Sequence, residues 1–112
     1  MPAFTPHIRL LKALSHPTRL AVLEILRDGE QCVCHMEAAL GIRQASISQQ
    51  LMILREAGVV DVRREGLNAY YRVVQPGVFD VLDAVCASTG QPRQRLVHRH
   101  AQGSCPCPKC NA

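Results

Sequence analysis

Tryptophan is absent from this 112-residue chain and only two Tyr and two Phe are present, so its core has to be aliphatic. No apolar run approaches the ~20 residues that span a bilayer, and the N-terminus lacks the basic-then-apolar layout of a signal peptide. A cytosolic protein is expected. Acidic residues are missing from 91–112, where Arg93, Arg95, Arg99 and Lys109 stand unopposed. Residues 1–90 hold nine basic and nine acidic side chains, so the net charge of +4 comes entirely from that end. Overall basicity is therefore weak support for a nucleic-acid partner, and local clustering has to supply the argument. Also absent are a His-Glu metal motif, a Gly-rich phosphate loop and a nucleophile elbow, so an enzyme is not expected. The length leaves room for one domain with a modest core.

What the chain does have is aliphatic periodicity. Its 47% apolar and 20% charged residues are a globular composition. Phe4, Ile8, Leu11 and Leu14 recur at helical spacing, and Ser15 with Pro17 closes that segment and opens the next. Ser15 or His16 is placed to cap the second helix, with Pro17 in its first turn, where a missing N–H costs nothing. That helix runs through Leu20, Leu23 and Leu26, with Val22 and Ile25 widening the stripe, and reads as buried until Asp28-Gly29 stops it. Val33, Met36 and Leu40 mark a short helix ended by Gly41. A longer one from about Gln44 to Ala57 carries Ile47, Leu51 and Leu54 and ends at Gly58.

Two helices joined by a short turn containing Gly form the helix-turn-helix layout. At about 100° per residue, the stripe of Ile47, Leu51 and Leu54 leaves Gln44, Ser46, Ser48, Gln49 and Gln50 largely outside. These side chains both donate and accept hydrogen bonds, as the reading of base edges and phosphates requires. A merely soluble surface usually favours Glu and Lys, yet no charge occurs between Gln44 and Leu54. After Gly58 the period changes: Val59–Val62 and 69–74 are β-rich runs either side of 63–68, where Gly66 and Asn68 suit a turn. Arg63, Arg64 and Arg72 make this hairpin locally basic, and a hairpin behind a helix-turn-helix is a wing that grips phosphates. Pro76 opens a last helix through Val78, Val81, Leu82 and Val85.

The predicted fold is mainly α with a small β-hairpin: a winged helix-turn-helix over residues 1–90 in the order α-α-α-α-β-β-α. Residues 91–112 form a basic, Cys-rich tail with few apolar residues, expected to stay loose until something ties it down. Six cysteines are many for a cytosolic chain, and a reducing compartment favours metal or redox chemistry over disulfide staples. They cluster as Cys32 with Cys34 and as Cys105, Cys107 and Cys110. Cys86, on an apolar helix, reads as core or interface. His35 fits a solvent-facing or capping role, or a zinc ligand beside two thiols.

Three blocks in this order resemble the ArsR/SmtB family of metalloregulatory winged-helix repressors: residues 13–20 (Ala-Leu-Ser-His-Pro-Thr-Arg-Leu), 32–35 (Cys-Val-Cys-His) and 51–60 (Leu-Met-Ile-Leu-Arg-Glu-Ala-Gly-Val-Val). The likeness covers roughly 8–85. It implies a cytosolic homodimer whose first and last helices form the interface, bound to operator DNA until an inducer arrives. Cys32 and Cys34 match the family's arsenite and antimonite type, with His35 where Asp or Glu usually follows. The family's zinc site on the last helix finds Asp80 and Asp83 here but no His to join them. Arg43 stands where Ser or Thr usually caps the reading helix.

Residues two apart on a helix point about 200° from each other, so Cys32 and Cys34 cannot hold one ion inside a regular helix. Either they lie in the approach to it, or the ion unwinds its first turn. Trivalent arsenic takes three thiolates, so a tail cysteine, Cys105, Cys107 or Cys110, is expected to complete the site, unless those three form one of their own. Soft thiolates also suit Cd(II), Zn(II) and Cu(I). The rival readings are a thiol redox switch and a metal-buffering protein with a vestigial winged domain, which would bind metal but show no saturable, salt-sensitive DNA affinity.

Overall fold

In a computed structural model, residues 2–94 are described; Cys105, Cys107, Cys110 and the basic residues beyond Arg93 lie outside them. A 3₁₀ turn, Pro2–Phe4, leads into α1 (Thr5–Leu14) and α2 (Pro17–Leu26). A two-residue strand β1 (Gln31–Cys32) precedes α3 (Val33–Leu40) and α4 (Gln44–Glu56); β2 (Val60–Glu65), β3 (Asn68–Val73) and α5 (Gly77–Thr89) follow. The winged helix-turn-helix expected from the sequence is present, with one strand added.

Local chemistry sets the boundaries. His16, not Ser15, caps α2: its Nδ1 accepts the N–H of Thr18 at 3.1 Å, while Ser15 Oγ donates back to Leu11 O at 2.7 Å. Helix α4 closes on Gly58 at φ +78, where the N–H of Gly58 reaches Arg55 O and that of Val59 reaches Leu54 O, both at 3.0 Å. This is the Schellman pattern, and the buried Leu54 and Val59 supply its apolar contact. Strands β2 and β3 pair antiparallel with Glu65 opposite Asn68, which leaves Gly66 and Leu67 as the loop. Gly66 takes φ +62 at the first of these positions, as a II′ hairpin turn demands. The loop is shorter than 63–68 because Arg63, Arg64 and Asn68 are strand residues. Their side chains gave no β signal, and pairing rather than propensity recruits them.

The core joins five helices and the root of the wing: Ala13 and Leu14 of α1 are buried, and Leu23, Met36, Ile47, Leu51, Leu54, Val59 and Val78 are fully buried. One expectation changes: Leu20, read as part of a buried stripe, is exposed. Phe4, Ile8 and Leu11 of α1 are exposed as well, leaving Ala13 and Leu14 as its buried residues. Strand β1 completes a three-stranded sheet in the order β1-β3-β2, with Cys32 opposite Tyr70. Two residues are too few to register as a period, which is why the sequence did not reveal it.

Candidate nucleic-acid interface and thiol site

Helix α3 packs on α4 across the turn Gly41 to Arg43. Of the side chains expected to face DNA, Gln44, Ser46 and Gln49 are exposed, and Ser48 and Gln50 are half-buried. Arg43 occupies the N-cap without capping by its side chain, and no acidic residue stands in the first turn of α4. The exposed entry to this helix is thus electropositive, from its own N–H groups and from Arg43.

Gln50 has an internal task. Arg19, only 9% exposed, donates from a terminal nitrogen to Gln50 Oε1 at 2.7 Å. The same guanidinium donates to Ala13 O at 2.6 Å and Lys12 O at 3.1 Å, closing the C-terminal end of α1. One buried cation therefore fixes α1, α2 and α4 to one another. No sequence signal distinguishes Arg19 from a solvated arginine, because its partners are backbone carbonyls and a Gln thirty-one residues away.

The wing arginines divide by face. Cross-strand pairing puts Arg63 opposite Tyr70 and Arg72 opposite Asp61 on one side of the sheet, and Arg64 opposite Ala69 on the other. Arg64 and Arg72 are exposed. Arg63 is exposed too but engaged at every nitrogen: Nε and one terminal nitrogen donate to Glu30 at 3.2 and 2.7 Å, and the other donates to Glu65 at 2.6 Å. Its plane lies 4.8 Å from the centre of the Tyr70 ring. The hydrogen bonds it donates to Glu30 and then to Glu65 raise its pKa above the ordinary arginine value.

Of the two cysteines only Cys32 lies in the approach to the helix, and Cys34 lies inside it. Cys32 lies outside the helix as the N-cap of α3, with extended backbone (φ −84, ψ 161), and its Sγ accepts the N–H of His35 at 3.4 Å. The sulfur thus sits where the helix dipole favours an anion. Cys34 is the second residue of α3, half-buried, and packs against the small buried cluster of Cys32 and Tyr70. Cys34 is disulfide-bonded, whereas Cys32 and Cys86 keep their thiols. Among the described residues no group of three His, Cys, Asp or Glu side chains is placed to hold a metal ion.

Away from both sites, α1, α2 and α5 enclose an apolar cleft of about 510 Å³, lined by residues including Leu11, Leu14, Leu20, Val85 and Cys86. At its rim Glu24 accepts from Arg27 at 3.0 Å and from Arg93 at 2.8 Å, and Arg27 also reaches Asp83 at 2.9 Å. Burial lowers the Arg27 pKa, but the hydrogen bonds to Asp83 and Glu24 outweigh it and leave the pKa raised. No helix among the described residues is long and apolar enough to cross a membrane.

A supporting helix, a reading helix with an uncharged polar face and a hairpin behind them define a DNA-binding winged helix. Comparison with known proteins agrees. The family described as "Bacterial regulatory protein, arsR family" matches residues 16–62. A biofilm growth-associated repressor of Agrobacterium fabrum is 44% identical over 87 residues, covering 78% of this chain and 74% of its own. The crystal structure of the transcriptional repressor BigR from Xylella fastidiosa superposes with a TM-score of 0.69 at 38% identity, covering 78% of this chain and 87% of that one. The homodimeric winged helix-turn-helix DNA-binding domain Mb0332 from Mycobacterium bovis gives 0.71 at 28% identity, covering 88% and 92%. The chain belongs to the ArsR/SmtB family of winged-helix transcriptional regulators, and its work is DNA binding rather than catalysis.

Proposed function

We propose that this regulator is a cytoplasmic homodimeric repressor that occupies operator DNA and releases it when, with the Cys34 disulfide reduced by cellular thiols, arsenite or antimonite binds Cys32, Cys34 and a third thiol from Cys105, Cys107 or Cys110. The observation that carries this reading is the position of Cys32. It caps α3 through sulfur, with Cys34 against the same cluster, on the helix that supports the reading helix. A metalloid bonded to Cys32 Sγ draws off the negative charge that makes this sulfur an acceptor for the His35 N–H and so weakens the cap, whose full loss costs about 0.5–2 kcal/mol. That matches the roughly 1–3 kcal/mol by which effectors commonly shift a second affinity.

Operator contact falls to Gln44, Ser46, Ser48 and Gln49, with Gln50 at the edge of the set, and Arg64 and Arg72 take phosphates. Two copies meet through α1 and α5, where exposed Leu11, Leu20 and Val85 border the apolar cleft and Ile8 is exposed on α1. Burying such a patch between protomers removes apolar area that a monomer leaves in water.

The disulfide at Cys34 supports a second reading, a thiol redox switch. There a peroxide takes two electrons and two protons from a thiol pair and leaves as two waters, joining the sulfurs. A mobility-shift titration separates the readings, using a duplex that the protein itself selects from a random pool. Arsenite at a few equivalents is expected to release the duplex. Release by Cd(II) alone points to a divalent soft-metal sensor, and release by peroxide with loss of two thiols points to the redox switch. Indifference to all three defeats the thiol-sensing reading.

A further inference from the structure

One lateral row of the sheet connects the two halves of the molecule described so far. Strand order β1-β3-β2 and its register place Cys32 opposite Tyr70 and Tyr70 opposite Arg63. The capping thiol and the wing arginine are thus separated by one aromatic side chain, itself 4% exposed. Arg63 does not reach outward from this row. Its face lies on Tyr70, its fork closes on Glu30 two residues before Cys32, and its third nitrogen is bound by Glu65 near the wing tip. A guanidinium held by a bidentate carboxylate, a second carboxylate and an aromatic face joins the segment before α3 to the wing as one piece.

We infer that Arg63 is a positioning residue that transmits the state of the Cys32 sulfur to the wing, rather than a ligand of operator phosphate. The inference rests on the thiol-sensing reading above. A ligand added to Cys32 Sγ enlarges a side chain that is buried in contact with Tyr70, and packed interiors hold few voids to take up such a group. The ring, or strand β1 that carries Cys32, has to shift. Either movement changes the distance between Glu30 and the wing, and with it the angle at which Arg64 and Arg72 meet the duplex. Arg63 contacts neither the inducer nor the DNA in this account; the latch it makes with Glu30 is what moves the wing.

The test compares operator affinity with and without arsenite in the full-length protein, for wild type, Glu30→Gln, Arg63→Gln, Arg63→Lys and Arg64→Gln, each at several salt concentrations. Glu30 belongs to neither the sulfur set nor the reading face. Glu30→Gln is therefore expected to bind arsenite as wild type does, by titration of the protein alone. The ratio of its affinities without and with arsenite is expected to fall by about fivefold or more, the lower end of ordinary allosteric coupling. Arg63→Lys keeps the charge but loses the fork and the stacking, and should lose the ratio as Arg63→Gln does. Arg64→Gln should keep the ratio and lower the salt slope by about one phosphate contact, whereas Arg63→Gln should leave that slope unchanged. A smaller fall for Glu30→Gln, or a salt slope reduced by one contact in Arg63→Gln, overturns the inference while leaving thiol sensing intact. A wild-type protein that does not respond to arsenite overturns both. Should Glu30→Gln fail to fold, Tyr70→Phe and Tyr70→Leu replace it, the first expected to keep the ratio and the second to lose it.

Discussion

The reading helix and the wing manage their polar side chains in opposite ways. Helix α4 exposes Gln44, Ser46 and Gln49 with no charge among them and diverts one residue, Gln50, to the scaffold through Arg19. The wing carries three arginines, yet Arg63 is taken up by Glu30 and Glu65, so two remain for a duplex. A count of basic residues overstates the charge that a surface can offer, because an arginine already paired must surrender its partners before it meets a phosphate. The same lesson applies at α2, where Arg19 and Arg27 are spent holding helices together.

This contrast can be broken by substitution. The largest effect is expected from Arg19→Leu, which strips two carbonyls and Gln50 of their donor inside the fold. Unfolding free energy should drop by about 2–3 kcal/mol, a loss of roughly 10 °C or more in Tm for a domain of this size, read by thermal melts. Gln49→Ala comes next and acts on binding alone. Melting should be unchanged while operator affinity falls by about 1–3 kcal/mol with relaxed base preference, measured on a panel of single-base variants. Gln50→Ala is the smallest and the most discriminating. About 1 kcal/mol of stability should go, with a smaller loss of affinity than for Gln49→Ala. Equal behaviour of the two Gln variants in both assays would erase the distinction drawn between them.

The helices were legible because a 3.6-residue repeat is local: Ile47, Leu51 and Leu54 declare both the buried and the open face of α4 without reference to the rest of the chain. The turn at Gly66 and the stop at Gly58 were legible for the same reason, since each depends on backbone freedom at one residue. The stripe of α1 declared a helix by periodicity, but that Phe4, Ile8 and Leu11 are exposed shows only in the folded chain. Strand β1 and the roles of Arg19 and Arg63 were hidden, because each is defined by a partner far along the chain. Glu30, for example, is thirty-three residues from Arg63. For the thiols, spacing posed the geometric conflict correctly, and the extended backbone at Cys32 resolves it.

Sulfur capture at the start of α3 is the claim on which the functional account stands. Its most direct measurement is the operator affinity of a Cys32→Ser, Cys34→Ser double variant at saturating arsenite, set beside that of wild type. The account predicts that wild type lets go and the variant stays bound with its arsenite-free affinity. Release of the duplex by the variant, to the same extent as wild type, would contradict it and move sensing away from this helix.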